Sequence, residues 1–337
     1  MNISLIIGLF FVFALIIAFA GYKLVQVAER LSNITGIGEA LFGGILLGAI
    51  TSLAGIITSV TAAWQAHPEL AMSNAIGGIA AQTLFLAVAD IFYRKANLEH
   101  SSASFTNLLM GLLLVFMLSF ILLVIFGPDL SIWQIHPASV LLLVIYVIGN
   151  RVIKQAKKAP MWFPKDTRET VKDFPETDQG NRDQLPSLWL RFTVLAGVVG
   201  FSGYMIATYG LRLTEATGLS EGLVGSLFTA VITSFPELIV TIAAVRQGAL
   251  TMAVANIIGG NSFDVLFVSF SDFAYREGSI FHAIGDEQIF VLILTLLLTT
   301  VLISGLLIRQ KEGIVKIGWE SALIILIFLG GYTLLYI

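Results

Sequence analysis

The sequence predicts an all-α polytopic membrane protein of ten transmembrane helices, arranged as two inverted five-helix repeats. Three observations carry that prediction. The 337 residues are 57% hydrophobic and only 12% charged, with a mean hydropathy of +0.89, far above soluble domains. The apolar residues gather into long stretches, each near the roughly 20 residues that a helix needs to cross a hydrocarbon core about 30 Å thick. Finally, Gly36–Arg94 laid on Gly218–Arg276 agrees at about 20 of 59 positions, an offset of 182 residues. Internal repeats in so apolar a chain are how many secondary transporters are built.

In chain order, the first half places its stretches at about 3–27, 38–65, 70–91, 104–126 and 134–153. Leu, Ile, Val and Phe dominate them, in runs too long and uniform for barrel strands of about 10 alternating residues. The first stretch reads as a retained helix, because it lacks the positive start of a signal peptide. Its Phe19-Ala20-Gly21-Tyr22 also returns later as Phe201-Ser202-Gly203-Tyr204. The first repeat, about 36–94, holds Ile50-Thr51-Ser52 and Asn74-Ala75-Ile76-Gly77-Gly78. Segment 154–187, rich in Lys, Asp, Glu, Pro and Gln, reads as a solvated linker between an N-terminal half, 1–153, and a C-terminal half, 188–337. The second half has stretches at about 188–212, 220–246, 249–272, 288–309 and 317–336. Its repeat, about 218–276, answers with Ile232-Thr233-Ser234 and Asn256-Ile257-Ile258-Gly259-Gly260.

The basic residues orient the chain. With the N-terminus outside, the inner set holds Lys23, Arg30, Arg94, Lys95, the linker, Arg246, Arg309, Lys311 and Lys316, whereas Arg212 and Arg276 fall outside. That asymmetry follows the positive-inside rule and predicts a cytoplasmic 154–187 loop in a plasma (cell inner) membrane. Five spans per half is odd, so the second copy enters the membrane upside down. A site shared by the copies then lies near the midplane.

Two acids stand inside spans. Glu237 lies in Thr233-Ser234-Phe235-Pro236-Glu237, and Asp264 in Gly259-Gly260-Asn261-Ser262-Phe263-Asp264. Insertion scales put each at roughly 2.5–3.5 kcal/mol, or about 5–7 kcal/mol together. Every Lys and Arg sits at an edge, so a bound cation, a proton or water must compensate them. Pro236 predicts a kink that releases carbonyls around Thr233. Carbonyl and hydroxyl oxygens suit hard ions such as Na+ and Ca2+. The Gly-Gly pairs predict either close helix approach or an unwound turn.

Thr-Ser-x-Pro-Glu on one helix, followed on the next by a Gly-rich turn and an acid 27 residues after the Glu, resembles the alpha-repeats of the cation/Ca2+ exchanger superfamily. The sodium/calcium exchangers look most similar, and the likeness covers nearly the whole chain. It implies alternating access, with Glu237 and Asp264 as principal ion ligands and metal-binding residues. Thr233 and Ser234 would add a carbonyl and a hydroxyl, Thr51 and Ser52 would do so from the first copy, and Gln82 would offer an amide oxygen. The departure is Ala54-Gly55, which stands where the second copy has Pro236-Glu237. Both acids therefore come from one half, and fewer charged ligands weaken Ca2+ binding. Restoring the acid by Gly55→Glu is expected to raise divalent affinity. Transported ions are Ca2+ and Na+, with H+ or K+ as the alternative, and no cofactor is implied.

The remaining features have duller readings. Glu39 and Glu221 open the repeat helices, where acids favour the positive dipole end. Asp90–Arg94 and Asp272–Arg276 have the i,i+4 spacing of interfacial ion pairs. Asn74, Asn256 and Asn261 read as interhelical hydrogen-bonders, with lining of the ion path as their second reading. The partners are inorganic cations and the lipid bilayer, and nothing points to nucleic acid. An enzyme is not expected. Gly200-Phe201-Ser202-Gly203 looks like an intramembrane serine protease motif, but its only later histidine, His282, lies in an outer loop. Such a serine needs a base within hydrogen-bond reach.

Overall fold

A computed structural model describes residues 2–35, 49–93, 96–102, 104–170, 184–311, 313 and 317–337. Among them the regular structure is helical, beside an isolated bridge between Ile132 and Ile135. The helices are α1 (Ile3–Thr35), α2 (Leu53–Trp64), α3 (Pro68–Phe92), α4 (Leu98–Ser101), α5 (Phe105–Ile125) and α6 (Pro137–Lys158). They continue as α7 (Leu185–Thr217), α8 (Glu221–Thr233), α9 (Phe235–Gln247), α10 (Leu250–Ala274), α11 (Asp286–Ile308) and α12 (Trp319–Tyr336). Eight are long and apolar enough to span a membrane, and α8 with α9 makes a ninth, broken span bent by 46°. The expected stretch 38–65 begins outside the described residues, as does Glu39; its described part holds α2.

Burial sorts the helices into a centre and a flank. α3 and α10 each bury 78% of their most apolar window, against 22% for α1 and 28% for α7. The centre is a continuous core running from Ala71 and Ile79 through Leu118, Ile257 and Leu298 to Ile324. The flank has a smaller cluster of its own, in which Phe10, Ala14 and Ile17 of α1 meet Val199 and Ile206 of α7. Outward, α1 shows Phe11, Leu15 and Phe19, as a lipid-facing helix should.

Glycines set how the layers touch. A Cβ on Gly77 would stand 2.5 Å from the Ser226 Cα, and one on Gly225 would stand 2.6 Å from the Ser73 Cβ, so α3 and α8 meet backbone to backbone. Gly77 and Gly78 lie within continuous helix, which selects close approach over an unwound turn. The flank docks the same way. Gly21 of α1 seats on the Pro236 ring, at 2.5 Å from a built Cβ to Cγ. Gly203 of α7 seats on the Ala54 carbonyl, at 2.7 Å. The Phe-x-Gly-Tyr echo is thus a pair of seats on the two motif helices.

One expectation needs correction. α10 ends at Ala274, so Arg276 lies beyond the helix and i,i+4 pairing with Asp272 does not apply. Asp272 instead accepts hydrogen bonds from the backbone N–H of Ile280 at 3.0 Å and His136 at 2.8 Å, and from the Ser139 hydroxyl at 2.6 Å. Asp90 accepts from the N–H groups of Leu98 and Gly318, both at 2.8 Å; Arg94 itself lies outside the described residues. Glu221 stands in the first turn of α8, as expected, and serves a second helix as well. It accepts from Leu70 N–H in the first turn of α3 at 3.3 Å and lies 2.7 Å from His67 Nδ1.

Candidate ion-binding site

Two helix breaks build the site. α8 gives way to α9 at Ser234 (φ −94°, ψ 4°), where Pro236 cannot donate to the Ile232 carbonyl. Ser52, 182 positions earlier, leaves helical geometry almost identically (φ −89°, ψ 8°) before α2 begins. No proline stands there, so a proline alone does not account for the break. Ser52 and Ser234 both face the packed centre, with 3% and 4% of their surface exposed.

Opposite the breaks, α3 and α10 supply Gln82 and Asp264. Asp264 is the hub. Its Oδ1 accepts from Ser52 Oγ at 2.5 Å and its Oδ2 from Gln82 Nε2 at 2.5 Å, joining residues 212 and 182 positions apart. Gln82 Nε2 also lies 3.3 Å from Ser234 Oγ. Glu237 sits in the first turn of α9, where the positive end of the helix dipole favours its charge. Its Oε2 is buried without a hydrogen-bond partner, and so is Gln82 Oε1. Glu237 and Asp264 are each 1% exposed. Among the described residues, neither takes part in an ion pair.

These groups share a small cavity lined by Ser52, Asn74, Gln82, Thr233, Ser234, Glu237 and Asp264, together with Gly55, Gly78 and Phe267. It has room for about one water-sized body. Asn74 donates to Ser59 Oγ at 2.8 Å and to the Gly55 carbonyl at 3.3 Å, and it accepts from Thr229 at 2.7 Å. Thr51 is buried beside this group but outside the lining. Asn256 instead faces Thr241 at 3.5 Å, and Asn261 donates to Thr83 at 3.2 Å, both away from the cavity.

Phe267 is the residue that sequence reasoning missed. A Cβ on Gly55 would stand 2.6 Å from Phe267 Cε2. An aromatic ring therefore occupies the place that mirrors Glu237, and a Gly55→Glu side chain has no room beside it. The alignment of the copies sets Phe267 on Phe85, which hides this role. What remains is an all-oxygen donor set with two carboxylates, the chemistry that suits hard cations and excludes thiolate or imidazole metals.

A multi-pass helical membrane fold around a buried acidic cavity is that of a cation transporter. The family model described as sodium/calcium exchanger protein matches residues 5–150 and 187–337, and the chain belongs to that family. It is 27% identical over 268 residues to the inner membrane protein YrbG of Escherichia coli, covering 78% of this chain and 76% of that one. It is 30% identical over 119 residues to the sodium/calcium exchanger MaX1 of Methanosarcina acetivorans, covering 34% and 33%. Its fold resembles the H+/Ca2+ exchanger CAX, with a TM-score of 0.71, 13% identity and 97% and 82% of the two chains covered. It also resembles the sodium-calcium exchanger NCX_Mj, with a TM-score of 0.60, 17% identity and 98% and 99% covered. The chain is an integral membrane cation antiporter and not an enzyme.

Proposed function

We propose that this antiporter exchanges Ca2+ against Na+ by alternating access around the cavity at Asp264. Glu237 and Asp264 bind the ion, Ser52, Gln82, Thr233 and Ser234 complete its oxygen shell, and Thr51 supports the first-copy side. Asn74 lines the approach. Ten spans, the tenth being stretch 38–65, form two inverted halves, with the N-terminus outside and the 154–187 linker cytoplasmic. The observation that carries this reading is the pair of fully buried carboxylates in one cavity with no basic partner. Two anions so placed need a counter-charge, and a dehydrated cation fits the space.

A second reading, exchange against protons or between monovalent ions, rests on Phe267 standing where a first-copy carboxylate would be. With a formal charge of −2, the cavity is balanced by one Ca2+, two Na+ or two protons. Flux in proteoliposomes separates these. Glu237→Gln should abolish 45Ca and 22Na exchange, and undiminished exchange would remove the assigned site. Replacing Na+, K+, H+ and Ca2+ one at a time identifies the coupled ion.

A further inference from the structure

Positions 182 apart reveal a second buried acidic group. Asp90 and Asp272 cap mirrored backbone N–H groups, those of Leu98 and Gly318 against those of Ile280 and His136. Within two positions of each capped N–H the copies differ. Glu99 mirrors Phe281, and Glu320, two positions past Gly318, mirrors Ala138. One copy thus satisfies this corner with a ring and a methyl group, so the fold itself has no need of acids there.

Glu99 and Glu320 are nonetheless completely buried and face each other, and none of their four carboxyl oxygens has a hydrogen-bond partner outside the pair. Ser321, also fully buried, turns its hydroxyl toward Asp90, as its mirror Ser139 does toward Asp272. Space for Glu320 is made by two glycines. A Cβ on Gly305 would stand 2.5 Å from its Cγ, and one on Gly318 would stand 2.6 Å from its Oε1. The mirrors of those glycines are Leu123 and His136. This is a built pocket for carboxyl groups, and none of its residues lines the cavity at Asp264.

The charges around it are few. Asp90 faces it from α3. α5 has no titratable residue, and α10 has none before Asp264. His100, on α4 itself, puts Nδ1 2.5 Å from the Arg309 carbonyl, and Nε2 2.9 Å from Thr167 Oγ1 and 3.8 Å from Glu169 Oε2. Arg309, past the end of α11, donates to the carbonyls of Lys165 at 2.6 Å and His100 at 2.9 Å and to Thr170 Oγ1 at 3.2 Å. Lys311 pairs with Glu169 at 2.7 Å. Asp166 approaches Arg309 from the linker side. Among the described residues, no basic group forms an ion pair with Glu99 or Glu320.

We propose that Glu99 and Glu320 form a proton-binding site at the linker end of the bundle, holding one proton between them, and that its loss frees segment 165–170 from His100 and Arg309. Two adjacent carboxyls in an apolar corner cannot both ionise, so the pair titrates as a unit. With one proton bound, the protonated carboxyl donates to its neighbour's oxygen. When that proton leaves for bulk water, two like charges face each other. Glu320 starts an 18-residue helix, while Glu99 rides on the four-residue α4, so α4 yields and takes His100 with it. Burial, with Asp90 and Glu320 beside it, pushes the Glu99 carboxyl well above its ordinary range. The docked state therefore holds the proton more tightly than the released one. Docking is fully favoured below the ordinary carboxyl pKa and is lost as pH rises through the raised value.

The test uses the full chain in lipid nanodiscs, scoring proteolytic cleavage at Lys165 or Arg168 between pH 6 and pH 9, normalised to a free peptide carrying the same site. Wild-type cleavage should rise with pH, by up to about tenfold per unit above the docked pKa. It should be flat in Glu99→Gln/Glu320→Gln and in the mirror-copied Glu99→Phe/Glu320→Ala. A protonated-carboxyl infrared band that Glu99→Gln removes should accompany the docked state, and it can be read even where one variant folds poorly. Flat wild-type cleavage, or an equal slope in both variants, overturns the proposal. So does a response to Na+ or Ca2+ at fixed pH, which would assign the corner to a metal ion.

Discussion

The second copy of the repeat brings Glu237 and Asp264 to the cavity; the first brings Ser52, Asn74 and Gln82, all neutral, and a glycine covered by Phe267. The backbone devices are nevertheless shared. Both copies break at a serine with nearly the same dihedral angles, and both end their second helix with an aspartate that caps a distant turn. The copies have kept their geometry and divided their charge. At the linker end the acids come one from each half: Glu99 of the first stands where the second holds Phe281, and Glu320 of the second stands where the first holds Ala138.

The sharpest way to break the comparison is to remove charge from one side only. Asp264→Asn should abolish exchange, whereas Gln82→Ala should leave it measurable with apparent affinity weakened about tenfold, because it removes a neutral ligand and keeps both charges. Equal losses in isotope flux would mean the copies contribute alike. Next comes the mirrored position itself. Gly55→Glu should cost about 1–3 kcal/mol by overpacking against Phe267, seen as a lower unfolding temperature in detergent. Adding Phe267→Ala should recover stability and raise divalent affinity in calorimetry; if the two changes act additively, the ring and the glycine are not coupled. Asp272→Ala strands three donors and should cost about 2 kcal/mol, with Asp90→Ala, stranding two, costing less. The smallest effect belongs to Thr58→Ala. It removes the 2.9 Å hydrogen bond to the Gly203 carbonyl and should cost about 1 kcal/mol in the same thermal assay.

Much of this was legible beforehand because it is local or periodic. The apolar stretches, the offset of 182 and the two stranded acids are properties of the string, and Asp264 lies where the repeat places it, opposite Ser52. Contacts that depend on which surfaces meet were not legible. Nothing in the spacing pairs Gly55 with Phe267, 212 residues away, and nothing marks Ser52 as a break without proline. Asp272 was misread because i,i+4 pairing assumes helix through Arg276, and α10 stops short of it. Asn74 and Asn256 look alike in sequence, yet only Asn74 reaches the cavity, through neighbours such as Thr229 from the other copy.

The two glycine seats of the flank carry a mechanical consequence. Gly21 rests on the hydrocarbon ring of Pro236, a smooth boss offering no polar group to unhook. Gly203 rests on a peptide carbonyl and is fastened by Thr58, whose mirror position is Val240. One side of the flank is therefore a bearing and the other a clasp. A stroke of the flank would start at the N-terminal helix and meet its resistance at α7.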